Sequence, residues 1–225
     1  MTEAALRLGS ALEAARWLGT KEGSAGHRQI LSCYNAIRPL PRGYTMKEKD
    51  PWCAAFVSAA AVMAGLEALY PLECGCGSII EKAKNMGIWV EDDKHIPEAG
   101  DWVLYNWQAD AAGDDRGSPD HVGIVIGADA QWIQVVEGNY DNAVKLRRLA
   151  VNDRTIRGFV CPDFGSAAGE RRFHTIDQVP EYARATIGKL AANGSLRGFS
   201  EDDLGLTEDL VRTLVILDRQ GLFRA

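Results

Sequence analysis

The sequence predicts an α+β domain over residues 1–164, a short linker at 165–172 and a small helical module at 173–225. Three observations lead there. The first ninety or so residues carry apolar positions at helical spacing, and from 101 to 161 short β-branched runs alternate with turn residues. Helices followed by a meander of strands is the α+β pattern, with the helices packed on an antiparallel sheet. The third is the small, polar stretch Gly165-Ser166-Ala167-Ala168-Gly169-Glu170, which has the composition of a linker.

Taken in order, residues 3–18 place Leu6, Leu12, Ala15 and Leu18 on one helical face, and Gly19 stops the helix. His27 to Ile37 reads as a second helix, closed by Pro39-Leu40-Pro41-Arg42-Gly43, with His27 as a surface or capping residue. Asp50-Pro51-Trp52-Cys53 reads as a helix start, Asp50 serving as N-cap and Pro51 taking the first helical position. A short helix from Ser78 to Met86 follows. Strands are expected near 101–106, 121–127, 131–137, 144–149 and 156–161. In the module, one helix opens at Thr175 and runs to about Asn193, where Gly194 ends it. A second starts after Thr207 as N-cap, with Leu210, Val211, Leu214, Val215 and Leu217 as its apolar face.

Chemistry concentrates on Cys53. A thiol in the first turn of a helix faces unpaired backbone N–H groups and the positive end of the helix dipole, which favour thiolate over thiol. Asp120-His121-Val122-Gly123-Ile124-Val125 sets His121 at the mouth of a strand. The next run, Gln131 to Asn139, ends with a carboxylate and an amide. A hairpin would bring Glu137 or Asn139 beside His121. The imidazole could then take the thiol proton while the third group fixes its tautomer.

These blocks, with Pro97-Glu98-Ala99-Gly100-Asp101-Trp102-Val103 between them, make the chain resemble the CHAP-domain amidases and peptidases. That papain-like branch of cysteine hydrolases is found in phage endolysins and bacterial wall hydrolases. The resemblance implies Cys53 as nucleophile, His121 as general base and then acid, Glu137 as the residue orienting His121, and Asn139 as a supporting polar group. Either Glu137 or Asn139 can be the third member. Trp52, Trp107 and Asp120 are read as substrate-binding. The implied activity is cleavage of an amide in the peptide part of peptidoglycan without a cofactor. The alternative is a papain-like enzyme acting on a non-wall amide, such as a delivered antibacterial toxin.

Composition narrows the partners. A net charge of −6 and the lack of a basic face argue against nucleic acid. The longest apolar stretch, Ala54 to Leu66, would extend only about 20 Å as a helix, so membrane insertion is not expected. The first residues lack the pattern of a secretory signal, and the expectation is a protein made in the cytoplasm that acts on the wall after release. Five cysteines suggest free thiols. Cys74-Gly75-Cys76 lacks a second matching pair, even with Cys33, His95 or Cys161 nearby, so no metal is expected there. Asp110, Asp114, Asp115 and Asp120 lack the spacing of a calcium loop. The segment from Trp107 to Pro119 reads instead as a solvated loop at the cleft rim. In the module, Val179-Pro180-Glu181-Tyr182-Ala183 and Gly194-Ser195-Leu196-Arg197-Gly198 resemble the helical tail of some endolysins and, distantly, one surface-layer-homology repeat. Wall attachment and self-association through residues 173–225 are the expectations for a unit of so few residues.

Overall fold

Between Cys53 and Ala61 every side chain is buried, so the helix that carries the thiol is the centre of the domain and not its surface. The computed structural model describes residues 2–108, 117–169, 172–196 and 204–223. Its contacts divide the chain into two units, Glu3–Ala167 and one formed from Ala168 onward.

The first unit opens with α1 (Glu3–Ala15), α2 (Ala25–Asn35), α3 (Cys53–Met63) and α4 (Cys76–Asn85). Six strands follow: β1 (Trp89–Val90), β2 (Trp102–Tyr105), β3 (His121–Ala128), β4 (Trp132–Glu137), β5 (Lys145–Ala150) and β6 (Ile156–Val160). They form one antiparallel sheet in the order β1-β6-β2-β3-β4-β5. The α+β prediction holds, and the five expected strands are present within a residue or two at their ends. The two-residue β1 is additional. A short helix, α5 (Phe164–Ala167), lies where the linker was expected to begin, and the Phe164 ring is fully buried.

Alternation along the strands buries both sheet faces. Trp102, Leu104, Val122, Ile124 and Val136 join the helices in the main core, whereas Val103, Tyr105, Val125, Ile133 and Val135 close a smaller cluster. Alanines at 54, 55, 59, 60 and 61 leave α3 slim, which lets neighbouring elements approach it closely. The one polar side chain in that run, Ser58, is satisfied: its hydroxyl donates to the Glu73 carbonyl at 2.8 Å and accepts from the Glu73 N–H at 2.9 Å.

Three local expectations are corrected. Leu12 and Leu18 are exposed, while Ser10, Ala11 and Ala14 form the buried face of α1, because that helix packs through small residues. Asp50 does not cap α3. It accepts from Tyr44 Oη at 3.0 Å and the Lys47 N–H at 2.8 Å, and the helix begins at Cys53 itself after a Trp52 that offers no side-chain cap. His27 is neither a surface nor a capping side chain; it is fully buried, packs on Trp52 with ring centroids 4.6 Å apart, and accepts from the Gly23 N–H.

The second unit contains β7 (Arg172–Phe173), α6 (Glu181–Ala192), β8 (Leu206–Thr207) and α7 (Glu208–Arg219). β7 pairs with β8, a strand pair the helical reading did not include. A single turn over Ile176–Gln178 precedes α6, so the first helix starts later than Thr175. Thr207 does cap α7, accepting from the Leu210 N–H. Phe173, Val179, Ala183, Ile187, Leu206, Val211 and Val215 make its core, whereas Leu210 is exposed instead of lying on the apolar face. Thr186 Oγ1 donates to Asp218 at 2.8 Å and ties α6 to α7.

Candidate active site

Cys53 is the first residue of α3, two positions nearer the dipole's positive end than an Asp50 cap would allow. His121 opens β3. The ladder pairs Ile124 with Val136, so Glu137 lies across from Gly123 and diagonal to His121 on the same face. Gly123 has no side chain to fill the gap: a Cβ there would stand 2.7 Å from Glu137 Cγ and 2.4 Å from Val135 Cγ1. Through that opening Glu137 Oε2 reaches His121 Nε2 at 3.1 Å. With Nε2 engaged, Nδ1 is the ring nitrogen left for the sulfur.

The electrostatics follow from burial and these partners. The Cys53 thiol is held well below the ordinary range. The Cys76 hydrogen bond contributes most, and His121 with the Ala54 N–H adds to it against the opposing effect of burial. Burial lowers the His121 pKa, but hydrogen bonds and opposite charges from Cys53 and Glu137 outweigh it and raise the imidazole to about 9. Burial likewise opposes ionisation of Glu137, yet His121 and Arg147 hold it below the usual carboxylate value. The group therefore rests as thiolate, imidazolium and carboxylate.

Arg147 completes the line. Its Nε donates to Glu137 Oε1 at 2.6 Å, and its guanidinium lies 4.1 Å from the Tyr140 ring centroid and 4.9 Å from that of Trp107. Sequence reading passed over it, because two arginines on an edge strand carry no signal until the register sets Arg147 against Val135. Cys76, the first residue of α4, brings its Sγ to 3.9 Å from Cys53 Sγ, an approach that no spacing in the sequence marks.

The structure separates the other expected residues. Asn139 stands past the strand in a turn with φ 59° and makes no hydrogen bond to His121, so of the two candidates only Glu137 meets the imidazole. Trp52 is fully buried behind Cys53 and cannot touch a substrate; its place is packing between His27 and Phe56. Trp107 is half-exposed, stacks on Tyr105 at 4.7 Å and lies 6.4 Å from the His121 ring. Asp120 accepts from the Trp107 backbone N–H at 2.8 Å and so holds the backbone that carries the ring. Asp110, Asp114 and Asp115 lie outside the described residues. A cleft of about 440 Å³, lined by Arg42, Tyr44, Met46, Asp50, Pro51 and Cys74, borders the segments that carry the two thiols.

Cys74 and Cys76 do not join His95 or Cys161. Among the described residues, His95, Asp101 and Cys161 instead bring ligand-type atoms within 4.8 Å of one another. Both Asp101 oxygens are already occupied there, by Arg7 Nη1 at 3.0 Å and the Glu98 N–H at 2.9 Å. Burial and the Asp101 carboxylate push the Cys161 thiol up, away from the thiolate a metal would need.

A thiol at a helix start, an imidazole from the facing sheet and a buried carboxylate behind it define a papain-like hydrolytic arrangement. Residues 44–139 match the model of the CHAP domain family. The match takes in Cys53, His121 and Glu137 and supports hydrolase activity of the amidase or peptidase kind. Comparison with curated proteins and with solved structures finds no match.

Proposed function

We propose that this protein is a cysteine peptidoglycan hydrolase that cleaves an amide in the peptide part of the bacterial wall. The observation that carries the chemistry is the line Cys53, His121, Glu137, Arg147, in which Glu137 accepts from both His121 and Arg147 and the charges of Cys53 and Glu137 hold the proton on the imidazole. The wall substrate rests on the resemblance to CHAP hydrolases of endolysins and wall enzymes. In the proposed cycle the Cys53 thiolate attacks the amide carbonyl carbon, and the oxygen gathers negative charge. The Cys53 backbone N–H, at the first helical position and without an intrahelical acceptor, is the natural donor to that oxyanion. His121 gives its proton to the departing amine and the C–N bond breaks, leaving an acyl thioester. Neutral His121 then takes a proton from water, whose oxygen attacks the thioester and releases the carboxylic acid and the thiolate.

Glu137 holds the imidazole in the required tautomer, and Arg147 keeps that carboxylate ionised and oriented. Trp107, its backbone held by Asp120, forms one wall beside His121 and is proposed to pack against the substrate. The unit from Ala168 onward is proposed to bind the wall. Purified walls from several Gram-positive species incubated with the protein should lose turbidity and release fragments with new amine and carboxyl ends. Cys53→Ala and His121→Ala should release none. Release by either variant would overturn the assignment, as would a wild-type protein that alkylates readily at Cys53 yet leaves every wall intact.

A further inference from the structure

Hydrolysis needs one thiol, and this site holds two. Cys53 and Cys76 are the first residues of α3 and α4, their sulfurs 3.9 Å apart and both buried. The second thiol is held there by construction. Ser58, on α3, grips the Glu73 backbone through both its N–H and its carbonyl, and the Glu73 carboxylate accepts from the Cys74 N–H and forms ion pairs with Lys82 Nζ at 2.9 Å and Arg42 Nε at 3.3 Å. The loop before α4 is thereby fastened to the nucleophile's own helix. A disulfide needs sulfurs about 2 Å apart, so the remaining gap is about 2 Å, within the reach of side-chain rotation. Of the other cysteines, Cys33 donates to the Ala59 carbonyl and Cys161 sits beside His95.

We propose that Cys53 and Cys76 form a reversible redox pair, in which a hydroperoxide oxidises Cys53 and Cys76 captures the product as a disulfide that switches the hydrolase off. This rests on the reading of Cys53 as the nucleophile. The Cys53 thiolate attacks one peroxide oxygen and the O–O bond breaks. The sulfenic acid forms on Cys53, and the departing hydroxide or alkoxide takes a proton from His121 to leave as water or an alcohol. The Cys76 sulfur then attacks the Cys53 sulfur, the S–O bond breaks, and hydroxide departs with the Cys76 proton as water. Two thiols have lost two electrons to one peroxide. A dithiol returns both by exchange. Two facing helix starts suit this division of labour. Each favours an anion, but two thiolates in contact would repel, so one sulfur is the attacking anion and the other keeps its proton. Closing the pair also protects the nucleophile from the irreversible sulfinic and sulfonic states.

The test uses the full chain treated with hydrogen peroxide, blocked with a maleimide, digested and read by mass spectrometry, with and without dithiothreitol. The expected result is a Cys53–Cys76 cross-linked peptide that dithiothreitol resolves into two alkylatable thiols. In Cys76→Ala and Cys76→Ser, Cys53 should pass to sulfinic acid, and dithiothreitol should not recover it. A Cys53–Cys74 link, no link at all, or equal recovery in the variants would overturn the proposal. The wild-type peptide map decides the matter even where a variant misfolds. Alkylation of Cys53 in the reduced protein at neutral pH separates the two readings. Ready alkylation without the cross-link sinks the redox pair alone, whereas absence of alkylation sinks the nucleophile assignment beneath it.

Discussion

Replacing Glu137 by Gln keeps shape and removes one charge from the centre of the site. The carboxylate is fully buried and accepts from His121 Nε2 at 3.1 Å and from Arg147 Nε at 2.6 Å. The rise of His121 from 6.5 to about 9 corresponds to about 3 kcal/mol in favour of the imidazolium. Cys53 and Glu137 supply it against burial, so removing the Glu137 charge takes away one of the two partners that hold the proton on the ring. Removing an anion beside a cation makes the cation easier to deprotonate, so the sign is downward. In Glu137→Gln, His121 should titrate lower than in the wild type. The amide also no longer enforces the tautomer, and loss of one charge-assisted hydrogen bond of about 1.5–3 kcal/mol should reduce kcat/KM about 10- to 150-fold. NMR titration of the imidazole resonances, with His121 assigned through a His121→Ala spectrum, measures the first quantity. Turbidity loss of wall suspensions against pH measures the second, and its alkaline limb should move with the NMR value. An unchanged His121 titration in the variant, or a wild-type His121 already neutral at pH 7, would refute this reasoning.

Gly123→Ala places a Cβ 2.4 Å from Val135 Cγ1 and 2.7 Å from Glu137 Cγ, so it should destabilise the first unit by about 1–3 kcal/mol in chemical unfolding and cut activity beyond that loss. Trp107→Ala removes a half-exposed ring stacked on Tyr105; KM for wall fragments should rise about three- to tenfold while the rate of Cys53 alkylation stays as in the wild type. Thr207→Ala deletes the cap that accepts from the Leu210 N–H, and α7 should lose about 1 kcal/mol of protection in amide hydrogen exchange with no change at Cys53.

What could be read from the sequence alone was what repeats with a period or sits at a marked end. β-branched runs at 121–127 and 131–137 announced strands because both faces of this sheet are buried, and His121 and Glu137 stood at their ends. Short or locally exceptional features escaped. β1, β7 and β8 are two residues each and have no period to detect. Asp50 looked like a cap by type, but its carboxylate is taken by Tyr44 and Lys47, a choice only the loop's path decides. In α1 the leucines misled, since Ser10, Ala11 and Ala14 are the residues whose small volume fits the interface. Of the site, Cys53, His121 and the carboxylate alternative were legible. Arg147 and the approach of Cys76 were not, for both depend on register and on the Ser58 grip on Glu73. Trp52 was misassigned because adjacency to a nucleophile says nothing about direction: its ring points inward to His27.

The most direct test of the account is the rate at which iodoacetamide modifies Cys53 as a function of pH, followed residue by residue by mass spectrometry in wild type and His121→Ala. A thiolate paired with imidazolium should react at a high, flat rate through neutral pH and fall only well below the ordinary thiol range, with the variant moving toward that range. A wild-type profile that rises only near the pKa of a free thiol, unaltered by His121→Ala, would contradict it.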